Sequence, residues 1–269
     1  MRKKHNFTDL TFLIPIRLDS IVRLENLLVS IDVLMRNCHT NIKVLHAAEY
    51  DNGLLPKLLG KKVSYEFVED WDNVFYRTRY LNKMALEAST PFLVIWDADV
   101  IIPFDQIVSA VEHLRQGCDI VYPYDGLFFD TSEIIRSAFL KKRDVRLLKR
   151  NRAKMGLIYG SNMRGGAIFV NRQKYIQSGM ENEDFYGWGP EDFERFSRWE
   201  ILQYKIHFVP GCLFHLSHSR GDDSKFRSLD QLKDTNSAFL RTKYSNKEEI
   251  LKRNEENNHE RLTGLADLP

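Results

Sequence analysis

Cysteine is scarce in this sequence. Cys38, Cys118 and Cys212 are the three present, odd in number, far apart and without a C-x-x-C pair. That excludes a disulfide framework and a zinc knuckle, and the three are expected to be buried thiols. Charge of one sign is not in excess either, with 39 basic and 37 acidic residues and a net charge of +2. So balanced a chain is not a bulk nucleic-acid binder, and any charge-driven partner has to be met by a local patch. No internal repeat, low-complexity tract or Pro/Gly-rich linker divides the 269 residues. The basic N-terminus is followed by an apolar run only at 10–16, with Pro15 inside it. That run is too short for a signal-peptide core and far too short to cross a bilayer. A soluble, cytoplasmic protein is expected, with at most a peripheral contact at the inner face of the cell membrane. What is plentiful is apolar content, 43% of residues, enough for the core of one large α/β domain or two small ones.

The apolar run Phe92-Leu93-Val94-Ile95-Trp96, rich in β-branched and aromatic residues and opened by Pro91, reads as a buried strand. Further strands are expected at 10–16, 41–48, 63–68, 119–123, 163–170, 206–209 and 212–216. Helices are expected from 21, after an N-cap at Ser20, and at 73–88, 104–116 and 171–178. Another starts near Pro190, and more helix follows 226. Strands alternating with helices imply an α/β fold with a mostly parallel, doubly wound sheet and helices on both faces. One stretch breaks the pattern: from 141 to 154 there are eight Lys or Arg residues and one acid, Asp144. It reads either as a solvated helix face or mobile insertion, or as a docking patch for an anionic acceptor or an anionic membrane.

Chemistry concentrates at three places. Asp97 and Asp99 close the central strand, where open α/β sheets place ligands. Two carboxylates so near an apolar strand repel each other unless a cation sits between them, and a divalent metal is the simplest candidate. Oxygen ligands with an imidazole suit Mn2+ or Mg2+, and His215 or His218, at the end of a late strand, is the candidate imidazole. In Gly187-Trp188-Gly189-Pro190-Glu191-Asp192 a tryptophan between glycines precedes two carboxylates at a helix start. Aromatic faces stack on sugars while carboxylates accept from hydroxyls, so this segment reads as an acceptor-sugar platform beside a base. Finally, the glycine pair Gly165-Gly166 lets backbone approach a ligand or a neighbouring strand closely.

The set resembles the GT-A glycosyltransferases, specifically the β-1,4-galactosyltransferase family and the bacterial family 2 enzymes with a galactosyltransferase-like C-terminal segment. The matching pieces are Ile14-Pro15-Ile16-Arg17, Arg79-Tyr80-Leu81-Asn82-Lys83, Trp96-Asp97-Ala98-Asp99, Gly165-Gly166-Ala167, Gly187-Trp188-Gly189-Pro190-Glu191-Asp192 and His218-Ser219-Arg220, in the family's order. The resemblance implies one GT-A (nucleotide-diphospho-sugar transferase) domain over 1–269. Its parts would be a nucleotide-binding half at 10–123, a basic insertion at 124–160, an acceptor and metal half at 161–225 and a helical tail at 226–269. It further implies a UDP-sugar donor with Pro15, Arg17 and Asp97 near the nucleotide, Arg79 near the donor, Gly166 lining its sugar and Trp188 over sugar and acceptor. Asp99, with Asp97, would hold Mn2+ at the diphosphate, together with His218 by its Ser-Arg neighbours or His215 by its distance from the preceding strand. Asp192 would deprotonate the acceptor hydroxyl of a glycan or lipid-linked glycan, oriented by Glu191, in a single inverting displacement. Pro190 stands where the family has glycine, and Phe193 where the animal enzymes have a further acid, so acceptor recognition differs. The missing anchor and disulfides fit a bacterial-type enzyme of surface-glycan synthesis.

Two rivals remain open on sequence grounds. A nucleotidyltransferase also joins a βα sheet to carboxylates and Mg2+, but calls for a Gly-rich basic phosphate loop that does not follow the first strand here. A non-catalytic glycan-binding protein of the same fold calls for a broken metal or base position, whereas Asp97, Asp99 and Asp192 are all present.

Overall fold

The strand at the centre of the molecule is Phe92–Trp96, with Leu93 to Trp96 removed from solvent, in a computed structural model that describes residues 4–158, 160–219 and 225–266. In chain order the elements are β1 His5–Ile16, α1 Ile21–Asn37, β2 Cys38–Ala48, α2 Leu54–Leu59, β3 Ser64–Glu69, α3 Arg77–Glu87, β4 Phe92–Trp96, β5 Val100–Ile101, α4 Phe104–Arg115 and β6 Ile120–Tyr122. They continue with β7 Leu127–Asp130, α5 Glu133–Lys142, α6 Val145–Asn151, β8 Gly156–Leu157, β9 Ala167–Asn171, α7 Arg172–Gln177, α8 Glu191–Ile201, β10 Ile206–Phe208, β11 Cys212–His215, α9 Leu229–Lys243 and α10 Lys247–Ala266.

The main sheet has seven strands in the order β10-β6-β9-β4-β1-β2-β3. All neighbours are parallel except β9, which runs against both β4 and β6. This is the mostly parallel α/β sheet expected, and its buried strands are near-continuous apolar runs because helices cover them. The reversal of β9 matters for function. Its first residue, Ala167, pairs with Trp96, the last residue of β4. Gly165-Gly166 and Asp97 therefore meet at one edge, fixed by Asp97 N–H donating to the Gly166 carbonyl (2.8 Å) and Tyr124 Oη donating to the Gly165 carbonyl (2.6 Å).

A second sheet, β5-β11-β7-β8, sits beside that edge and was not legible as such in the sequence. Two of its strands are only two residues long, too short for a periodicity to register. It carries its own apolar cluster, in which Ile135, Phe139 and Leu148 pack with Phe214 and Leu216. Of the readings open for the basic stretch, a helix face is what the fold shows: the stretch is the end of α5, the whole of α6 and a 3-10 turn at Arg152–Lys154, with Ser132 capping α5 and Asp144 capping α6. Arg136 pins α5 to α1 through Asn26 Oδ1 (2.8 Å), the Val22 carbonyl (3.0 Å) and Glu25 (2.7 Å).

Two boundaries move for local reasons. The helix expected from 73 starts at Arg77, because Asp70 and Asp72 each accept a backbone N–H two residues on, from Asp72 and Val74, and hold the chain in turns. The strand expected from 163 starts at Ala167, after Gly166 at φ 80°. No helix of the described residues is long and apolar enough to cross a membrane.

Candidate active site

The turn after β4 points its two aspartates in different directions. Asp99 hands its carbonyl to Leu216 N–H (2.8 Å), which turns its side chain toward β11, whereas Asp97 faces α3 and accepts from Arg77 Nη2 at 2.6 Å. In this arrangement the two carboxylates face different partners. Asp97 lies outside the cluster of ligand atoms around Asp99, and Arg77 balances its charge. Burial pushes the Asp97 carboxyl above its ordinary range, Arg77 opposes this, and the nearby Asp99 and Asp192 add to it.

Asp99, His215 and His218 bring one ligand atom each to within 4.8 Å of one another. His218 Nε2 lies 3.0 Å from Asp99 Oδ2 and His215 Nε2 lies 3.6 Å from the same oxygen. Each ring is oriented through its other nitrogen, His215 Nδ1 on Asp130 Oδ1 (2.8 Å) and His218 Nδ1 on the Ser219 carbonyl (2.8 Å). Each ring so held turns its Nε2 toward Asp99, the nitrogen that would be free to ligate a cation once its proton is lost, as metal-ligating histidines are oriented. One carboxylate and two imidazoles depart from the all-oxygen shell that Mg2+ prefers and suit a first-row divalent metal that accepts nitrogen beside oxygen, as Mn2+ does. The fold brings both His215 and His218 beside Asp99. Burial opposes charge on His215, but the Asp99 carboxylate and Asp130 carry its pKa up to about 9. A cation taking Nε2 thus displaces a proton.

Opposite this cluster stands the start of α8. Pro190 precedes its first turn, where Glu191, Asp192 and Glu194 lie. Arg195, fully buried, donates to Asp192 Oδ1 (2.5 Å) and to Glu181 Oε2 (2.5 Å), while Arg198 takes Glu194. Asp192 Oδ2 is left toward Gly165, so close that a Cβ added there would overlap it. Gly165→Ala is therefore expected to displace the Asp192 carboxylate, lowering any Asp192-dependent turnover by about 100-fold. The far-ultraviolet spectrum and cation binding should stay unchanged; equal turnover by parent and variant would show that the close approach is unimportant.

Glu191 differs from its neighbour. Its Oε2 is buried without a hydrogen-bond partner. Burial and the adjacent Asp192, only partly countered by Arg77, push its pKa up from 4.5 to about 8. Between those values the folded chain keeps a proton that the unfolded chain has released, so this group makes stability fall as pH rises through that window. Glu191→Gln should match the parent near pH 4.5 and exceed it by about 1–3 kcal/mol above pH 8, after allowance for partial solvation. Denaturant melts at the two pH values check this, and parallel stability curves would refute it.

The cleft between the two groups holds about 260 Å³ and is lined by Pro15, Asp97, Asp99, Gly166 and Trp188, with Arg77, Glu191, Asp192, His215 and His218. Trp188 is not in a free turn: Phe226 packs on it edge-on at 4.6 Å, and Gln231 of α9 donates to the Tyr186 carbonyl (2.8 Å). A larger hollow, about 610 Å³, adjoins and is lined by Arg17, Asp70 and His46. Arg17 stacks 5.6 Å over Phe75, a cleft residue, while pairing with Asp70.

The chain matches the catalytic domain of Drosophila β1,4-galactosyltransferase 7 complexed with xylobiose at a TM-score of 0.55 and 16% identity, over 86% of this chain and 79% of that one. An aspartate-to-asparagine mutant of that enzyme, similar at 0.54, was crystallised with manganese, UDP-Gal and xylobiose. GalNAc-T7 with UDP, GalNAc and Mn2+ matches at 0.55 and 14% identity, over 87% of this chain and 47% of that one. The chain has the GT-A fold. Glucosyl-3-phosphoglycerate synthase from Mycobacterium tuberculosis, with phosphoglyceric acid, matches at 0.50 and 15% identity, over 87% and 79%. No protein-family model matches the sequence, and no curated protein does.

On this GT-A frame the residues singled out from sequence sort cleanly. Pro15, Asp97, Asp99, Gly166, Trp188, Glu191, Asp192, His215 and His218 meet in one cleft, and Arg17 lines the hollow beside it. Arg79 does not belong: it lies exposed on α3, and Arg77, two residues earlier, takes the place beside Asp97. A helix turns about 200° between those positions, so a two-residue misalignment moves a side chain to the opposite face. Arg220 and the acids Asp222 and Asp223 lie outside the described residues. Sequence reasoning missed Arg77 and Asp130, whose partners Asp97 and His215 lie on other elements, and Arg195, whose burial between Asp192 of its own helix and Glu181 only the fold shows.

Proposed function

We propose that the protein is an inverting, metal-dependent glycosyltransferase that moves a sugar of galactose or N-acetylhexosamine type from a UDP-sugar to a hydroxyl of a glycan acceptor. The observation that carries this reading is that a cation site and a carboxylate pair face each other across one cleft. The fold neighbours crystallised with UDP-Gal and manganese, or UDP and Mn2+, support the donor class and cofactor. The adjoining hollow offers room for a nucleoside.

In this reading Asp99, His215 and His218 would hold the cation, with Asp130 keeping His215 in orientation. A bound divalent cation supplies positive charge against the diphosphate as it departs. Arg77, whose Nη1 is buried without a hydrogen-bond partner, offers a second positive group to the donor. Trp188 presents a ring face for the sugars. Asp192, clamped through Oδ1 by Arg195, uses Oδ2 to take the acceptor proton while the acceptor oxygen attacks the anomeric carbon from the face away from the diphosphate. Glu191, protonated near neutrality, is fitted to donate a hydrogen bond to the acceptor. Synthesis of a surface polysaccharide or glycoconjugate in the cytoplasm is the setting proposed, and the three buried free thiols support a reducing compartment.

The test is melting in the presence of UDP-, GDP- and dTDP-sugars with and without Mn2+. A UDP-sugar at a hundred times its dissociation constant should stabilise the chain by about 2.7 kcal/mol, and chelation should reverse the effect. Stabilisation by a nucleoside triphosphate with pyrophosphate release would replace this reading with nucleotidyl transfer.

A further inference from the structure

Charge in this molecule is strongly segregated. The stretch 141–154 holds a net charge of +7 in a chain whose total is +2, so the remainder is acidic at −5. Packing does not explain the segregation, because the apolar residues of α5 and α6 already fix the pair onto β11 and α1. The outward groups divide in two. Arg143, Arg146 and Lys149 pair with Asp32, Asp144 and Asp105 and Arg152 lies over the Phe129 ring (5.8 Å), whereas Lys141, Lys142, Arg150 and Lys154 are exposed and, among the described residues, within ion-pair distance of no acid.

A second observation is apolar. Ile134 is 82% exposed, more than any other large hydrophobic residue described, although it sits on an ordered helix. Glu133, Ile134, Ser137, Ala138, Lys141 and Lys142 line one shallow depression, so an apolar projection, small side chains and two cations against one acid share one face of α5. A soluble polyanion has no use for an exposed isoleucine. A bilayer surface does: its headgroups meet the ammonium groups while a short apolar side chain enters the interface.

We infer that the outer face of α5 and α6 docks on an anionic lipid bilayer, through Lys141, Lys142, Arg150 and Lys154 to headgroups and through Ile134 into the interfacial layer. The site lies close by. Asp130, the partner of His215, precedes α5 by three residues, and strand and helix rises put Lys142 at most about 25 Å from it. A docked chain would hold its cleft near whatever the membrane carries. The inference rests on charge and packing rather than on the proposed activity, and its test needs no turnover.

The test is flotation of the full chain with vesicles of phosphatidylcholine containing about 30% phosphatidylglycerol, against phosphatidylcholine alone. Binding to the anionic vesicles should be tighter by about 10-fold or more, and should be lost near 0.5 M salt, roughly three times physiological ionic strength. The K141E/K142E/R150E/K154E variant should bind at least about 100-fold more weakly. If that variant does not fold, K141E and K154E singly should each weaken binding by about fivefold. Ile134→Ser should weaken vesicle binding several-fold and leave binding of soluble polyphosphate unchanged. Equal affinity for neutral and anionic vesicles, or full binding by the charge-reversed chain, would overturn the inference. Vesicle binding untouched by Ile134→Ser would overturn it in favour of a soluble polyanion site.

Discussion

Asp192→Asn is expected to bind Mn2+ and a UDP-sugar as the parent does while transferring sugar about 10²–10⁴-fold more slowly, the range that a positioned general base contributes. The substitution is chosen for what it preserves. Asn keeps the shape of the side chain and an oxygen to accept from Arg195, so the clamp that fixes the start of α8 survives. It also adds no heavy atom on the side facing Gly165, where the Asp192 side chain already sits close to the backbone. What disappears is the proton-accepting oxygen facing the cleft. Donor binding is read by melting and transfer by product formation, so the two can be separated. Turnover within about threefold of the parent would remove Asp192 as the base and leave Glu191 as the carboxylate to examine.

The second large effect concerns Asp99. Asp99→Ala should abolish stabilisation by Mn2+ alone, about 2.7 kcal/mol at a hundred times the dissociation constant in the parent, and reduce transfer to background. The reason is local: Asp99 contributes the only carboxylate of the cluster, and both imidazoles are aimed at its Oδ2. Asp97→Ala provides the contrast. It frees Arg77 without removing a clustered ligand atom, so Mn2+ should still raise the melting temperature while affinity for the UDP-sugar falls. If the two variants lost Mn2+ binding to the same extent, the aspartates would have to converge on one ion, and the division of labour between them would be wrong.

Much of this was legible before any coordinates. The run ending at Trp96 had to be a buried strand by its composition, and the ordered motifs pointed to the fold that the solved structures share. Periodicity failed where elements are two residues long, as in β5 and β8, and so the second sheet was missed. It also failed where the decisive contact spans the chain. Asp130 and His215 meet across 85 positions, and nothing near Asp130 in sequence announces a histidine. Arg195 is buried against Glu181 and Asp192, because α8 turns that face toward the core, and no local pattern marks it. Arg77 was passed over for Arg79 because only three-dimensional phase around α3 tells the two apart.

The antiparallel strand β9 carries a last consequence. Pro15 and Asp97 belong to the first part of the chain, but the edge they share is finished only when β9 arrives to pair with β4 and when β11 closes on β5. A nascent chain released before His218 could therefore build a respectable sheet and still be unable to chelate anything. The trio Asp99, His215 and His218 is complete only once the final strand of the second sheet has been made and the chain has run three residues past it.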